Sequence, residues 1–101
     1  MIENCNNADI IAKQDIQNKE IKIFIIGGIG PVAYPSDSIF ENKYHVSYFD
    51  FADLSPNKEC VLKYNVEVFN YLTLTFGKCW KKEIRKDAYG LKHWKRKKKL
   101  P

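Results

Sequence analysis

The chain has 101 residues, 45% of them apolar or aromatic, and a formal net charge of +5. That length suits one domain with a modest core, and the apolar share excludes disorder along the whole chain. The longest apolar run, Ile23 to Ala33, is too short to span a bilayer, which excludes a transmembrane segment.

Charge is unevenly placed. Between Lys78 and Lys99 stand eleven Lys or Arg against Glu83 and Asp87, a local balance of +9, which leaves the other residues at −4. A mildly acidic domain with a strongly basic end suits a polyanion or an acidic protein as partner. The cysteines, Cys5, Cys60 and Cys79, form no C-x-x-C, so neither a zinc ribbon nor a redox motif is supported. Reduced thiols in a cytosolic protein are the plain reading, and a Cys60–Cys79 bridge is the alternative for an exported one. Residues 1–20 contain Glu3, Asp9 and Asp15 and no apolar export signal. As written the chain reads as cytoplasmic, or as exported if a signal was removed before Met1.

In chain order, residues 1–19 are polar and are expected to be poorly ordered. Within them, Ala8–Ile16 offers either a frayed helix or an unnoticed third strand. Ile21 to Ile26 is a β-branched apolar run closed by Gly27-Gly28, the pattern of a buried strand. Ser38 stands three residues before Glu41, a capping-box spacing that predicts a short helix through Tyr44. Val46, Tyr48 and Phe51 predict a second strand. Ser55-Pro56 predicts the cap and first residue of a long helix ending at Gly77.

On that long helix Val61, Val68, Phe69, Leu72 and Phe76 share one face, with Lys63, Glu67 and Asn70 opposite. Asn65 falls inside the apolar face and is the odd residue. It either satisfies a nearby backbone group or contacts a ligand. A last helix from Lys78 carries Trp80, Ile84, Ala88 and Leu91 as its apolar stripe, with Lys81, Lys82, Arg85 and Lys86 on the other side. Past Gly90, a natural breaker, the run from Lys92 through His93, Trp94, Lys95 and Arg96 reads as a mobile basic tail. The expected fold is a small α/β domain in the order β-α-β-α-α. Its short parallel sheet is covered by helices, with the compact part at 20–91 and the tail at 92–101.

Phe40-Glu41-Asn42-Lys43-Tyr44 resembles the signature of the small bacterial FEKKY-domain proteins, with Asn42 in place of one Lys. Gly27-Gly28-Ile29-Gly30 upstream, Phe76 to Asp87 downstream and Gly90-Leu91 extend the likeness over about residues 21–95. The resemblance implies no established activity and no catalytic residue. It also implies relatives with export signals and a cysteine in the loop after the second strand. Here that loop reads Ala52-Asp53-Leu54, so the cysteine is missing.

Two candidate sites follow. Gly28-Ile29-Gly30-Pro31-Val32-Ala33 fits G-x-G-x-x-A after a strand, with Asp50 twenty residues after Gly30. Pro31 and Pro35 oppose the helix that dinucleotide binding needs. A tight turn, or a simple anion site formed by Gly27, Gly28 and Gly30 with Asp50 and Asn65 facing it, remains. The second candidate is the basic end: Lys81, Lys82, Arg85 and Lys86 on the helix, and Lys92, Lys95 and Arg96 on the tail. Trp94 and His93 interleave those cations and could stack on bases or sit at an interface. A solvated terminus is the plain alternative. Glu83 and Asp87 sit four apart among lysines, a spacing that favours structural pairing over acid–base work. No G-x-S-x-G, H-E-x-x-H or P-loop lysine is present, so the enzyme case is thin and no cofactor or metal is expected.

Overall fold

A computed structural model describes residues 7–26, 34–51 and 57–99, the last three by their backbone alone. The elements are α1 (Ala8–Asn18), β1 (Lys22–Ile25), α2 (Pro35–Tyr44), β2 (Ser47–Asp50), α3 (Lys58–Phe76), α4 (Trp80–Glu83) and α5 (Leu91–Lys99). From β1 to α4 this is the expected β-α-β-α-α order. β1 and β2 pair in parallel, with Ile23 opposite Tyr48 and Ile25 opposite Asp50. Two strands cannot bury both faces unaided, and the helices supply the cover.

The long helix α3 is the centre of the packing. Its Val61, Tyr64, Val68, Phe69 and Leu72 are all buried, as the helical period requires. Phe76 departs from that stripe: it is partly exposed at the helix end, edge-on to the Tyr44 ring at 5.0 Å. Trp80 is fully buried and stacks on Phe69 at 5.5 Å. Its indole N–H donates to Thr73 Oγ1 at 3.2 Å, which satisfies the one polar atom that burial would strand.

Three local expectations change. The cap of α3 is Asn57, whose side chain accepts from the Glu59 and Cys60 amides. Ser55 and Pro56 lie outside the described residues. α2 starts at Pro35, three residues before Ser38, and the Asp37 carboxylate accepts the Tyr34 amide at 3.0 Å. The Ser38–Glu41 spacing therefore does not form the cap. The polar opening segment is helical from Ala8, and α1 packs on α3 through the fully buried Ala8 and Ala12. Small side chains allow that close approach but give almost no amphipathic signal.

The basic end differs most. In place of one helix from Lys78 to Gly90, α4 is a single turn, and Ile84 has extended angles (φ −70°, ψ 150°). The chain then runs back along β1: Ala88 bridges Ile25 antiparallel, and the Tyr89 amide donates to the Phe24 carbonyl at 3.0 Å. This bridge stands on the side of β1 away from β2. After Gly90 the supposed mobile tail is helical as α5. Leu91 and Trp94 are buried, and the Trp94 indole N–H donates to Asn70 Oδ1 at 2.9 Å. Trp94 lies 5.4 Å from Trp80 and 5.7 Å from Phe69, so one aromatic cluster ties α3, α4 and α5 together. Cys79 is exposed with a free thiol and Cys60 is disulfide-bonded, so the Cys60–Cys79 bridge is absent and reduced thiols do not describe Cys60.

Candidate functional site

Gly27, Gly28 and Gly30 lie outside the described residues. Asp50 ends β2 half-buried and is engaged in an electrostatic or hydrogen-bonding interaction. Asn65 is fully buried, and its amide is used up by backbone. Oδ1 accepts the Phe24 amide at 3.0 Å, and Nδ2 donates to the Phe24 and Tyr89 carbonyls at 3.0 and 2.9 Å. Of the two readings of Asn65, the backbone partner is the one observed. The Tyr64 hydroxyl continues this edge by accepting the Lys22 amide while donating to Asp15.

The Phe40–Tyr44 motif closes the other edge. Phe40 is buried and stacks on Tyr48 at 5.5 Å. Glu41 accepts the Tyr48 amide at 2.8 Å, on the side of β2 away from β1. Lys43 pairs with Glu83 at 2.7 Å, and the buried Tyr44 donates its hydroxyl hydrogen to the same carboxylate. Those two bonds, Lys43 first, hold the Glu83 carboxyl below its ordinary range. Asn42 is exposed. Four of the five motif residues are thus occupied in joining α2 to β2 and α4. Glu83 and Asp87 do not act as a pair, because each has its own cationic partner.

Arg85 leaves the expected basic patch. Its side chain is 8% exposed, pairs with Asp37 at 3.2 Å and Asp87 at 2.8 Å, and lies over the Tyr34 and Tyr48 rings at 4.8 and 5.6 Å. Burial opposes its charge, and Asp87, Asp37 and Tyr34 together more than offset that. Its amide donates to the Tyr48 hydroxyl, whose own ionisation burial pushes above the ordinary tyrosine range. The surrounding concavity, about 400 Å³, holds Asp37, Glu83 and Asp87 against Arg85 and Lys86. Three acids against two bases do not suit an anion. Asp37 Oδ1 is buried there without a hydrogen-bond partner among the described residues.

The remaining cations form the candidate interface. Lys82, Lys86, Lys92 and Arg96 are exposed, whereas Lys81 and Lys95 are half-buried. Lys81 Nζ sits 5.0 Å from the centre of the Trp94 ring, which brings α4 beside α5. Trp94 is therefore an anchor of α5 and is withdrawn from base stacking. His93 stays exposed. Sequence periodicity missed Trp94 as a core residue because lysines surround it, although its spacing of three from the buried Leu91 was the available signal. Among the described residues, no three His, Cys, Asp or Glu side chains converge on a metal position, and no helix is long and apolar enough to cross a membrane. Comparison with known proteins finds no matching family model, no matching curated protein and no matching solved structure.

Proposed function

We propose that this chain is a FEKKY-like, non-enzymatic binding module that contacts the phosphate backbone of a nucleic acid through the cations of α4 and α5. The observation that supports it is the docking of α5. Leu91 and Trp94 are buried, so the helix turns Lys92 and Arg96 outward from an anchored rod. Anchored cations lose less conformational freedom on binding than those of a mobile tail. The same burial leaves the described part of α5 no exposed apolar residue to insert into a bilayer, which favours electrostatic contact over membrane insertion. The non-enzymatic reading draws on Phe40, Glu41, Lys43, Tyr44, Asn65 and Arg85, whose polar groups and rings are spent on structure.

Each phosphate neutralised releases condensed counterion, so four contacts predict about a hundredfold loss of affinity between 50 and 200 mM salt. Titrating labelled duplex DNA, single-stranded RNA and anionic vesicles at those two salt concentrations tests the reading. Salt-steep binding to nucleic acid, weakened uniformly by Lys82→Glu with Arg96→Glu, is expected. Absence of nucleic-acid binding at low salt overturns it. Binding to vesicles alone, or to an acidic protein alone, overturns it in favour of that partner.

A further inference from the structure

A concavity of about 480 Å³ opens between α3 and the segment from Lys86 to Arg96. Lys86, Lys92 and Arg96 stand around it, and among the described residues none of the three has a carboxylate or hydrogen-bond partner. Lys43 and Arg85, by contrast, are both paired. Three unpaired cations about one hollow repel one another, and an anion seated among them relieves that repulsion. Asp87 shares the wall but does not cancel them. Both its oxygens are taken by Arg85, at 3.0 Å from Nε and 2.8 Å from Nη2.

A second concavity, about 430 Å³, meets the first at Leu62 and His93. Its lining is different: Leu62 and Val66 supply apolar surface in front of the buried Trp94, and Asp9 and Glu67 supply acceptors beside the single cation Lys63. Each hollow is in the size range of small-molecule sites. Taken together they form a cationic chamber joined to an apolar one that accepts hydrogen bonds. An inorganic anion would use only the first, and an uncharged apolar molecule only the second.

We propose that the paired concavities bind a phosphate monoester with a planar, donor-bearing body, the chemistry of a nucleoside monophosphate. Its phosphate lies among Lys86, Lys92 and Arg96, and its body lies beyond His93 against the half-buried Leu62 and Val66. This goes beyond the backbone-contact reading: it shares Lys92 and Arg96 with it but adds walls that a duplex backbone does not need.

The test is calorimetric titration of the full chain with adenosine 5′-monophosphate, adenosine and inorganic phosphate, with amide shifts followed by NMR. The monophosphate is expected to bind at least tenfold more tightly than either fragment, with shifts at Leu62, Val66, Tyr89 and His93. Lys92→Glu with Arg96→Glu is expected to abolish binding. His93→Trp, which fills the junction between the hollows on an exposed position, is expected to weaken the monophosphate at least tenfold. Lys86→Glu, outside any helix, gives an independent variant should His93→Trp alter the fold. No saturable binding of the monophosphate by the unmodified chain overturns the site, whatever the duplex result. Equal affinity for monophosphate and phosphate overturns the role of the second chamber. Monophosphate binding without duplex binding keeps the site and overturns only the backbone-contact reading.

Discussion

The Asn65 side chain does for Phe24 what a neighbouring strand would do. Its Oδ1 accepts the Phe24 N–H and its Nδ2 donates to the Phe24 carbonyl, each at 3.0 Å and both buried. A two-stranded sheet has two open edges, and an open edge inside a domain strands polar backbone groups. Here α3 closes one edge through Asn65 and Tyr64, and Glu41 of α2 meets the Tyr48 amide on the other.

Replacing Asn65 with Leu keeps the volume close but removes all three bonds. The Phe24 amide is then left buried without its acceptor, and the Phe24 carbonyl keeps only the Tyr89 amide. A loss of roughly 2–4 kcal/mol is expected. Urea denaturation of the variant measures it, and an unchanged midpoint would show that the edge does not depend on this side chain.

Trp94 belongs to the same cluster as Trp80 and Phe69. Trp94→Ala should therefore destabilise the domain by about 3–5 kcal/mol, as large core truncations do. Deleting residues 93–101 should do the same, whereas a mobile tail could be removed freely. Thermal melts of the two variants beside Lys92→Ala, which is exposed, separate lost packing from lost charge.

Glu83 carries an acid-sensitive contact between α2 and α4. Its carboxyl titrates below its ordinary value of 4.5 because Lys43 and Tyr44 both bond the ionised form. A group depressed on folding stabilises the fold above its unfolded pKa, and that contribution is lost as pH falls through the folded value. Stability relative to Glu83→Gln should be constant near neutrality and should shrink as pH drops below about 4.5. Denaturation midpoints of both proteins between pH 3 and 7 give the comparison, and a gap that widens in acid would contradict the assignment.

Gly90 joins the β1-edge segment to α5 at φ +81°, where a side chain is strained. A Cβ there would also stand 2.3 Å from Leu62 Cδ1. Gly90→Ala should cost more than about 1 kcal/mol. Combining it with Leu62→Ala removes the steric part, so the double variant should lose less than the sum of the two single losses. Strict additivity in that cycle would leave backbone strain as the whole cost.

Local pattern determined much of this fold. The apolar run at Ile21–Ile26, the 3.6-residue stripe from Val61 to Leu72 and the isolated amide at Asn65 are all written in neighbouring residues, and each led to a strand, a helix and a buried hydrogen-bonding group. Residues 84–90 could not be read that way. The Tyr89 amide bonds Phe24 and Ala88 bridges Ile25, some sixty residues earlier, and meeting that edge outweighed the helical stripe through Trp80, Ile84 and Ala88. Arg85 read as one more exposed cation because its partners Asp37 and Tyr34 come from α2 and the residue before it. The helical alternative at Ala8–Ile16 is the one observed, but its order, like the whole of α5, was hidden: an alanine face and a lysine-flanked tryptophan are weak signals until α3 supplies the surface they bury. Only the tertiary arrangement, then, separated the cations spent on ion pairs from Lys86, Lys92 and Arg96, because pairing depends on distance in space.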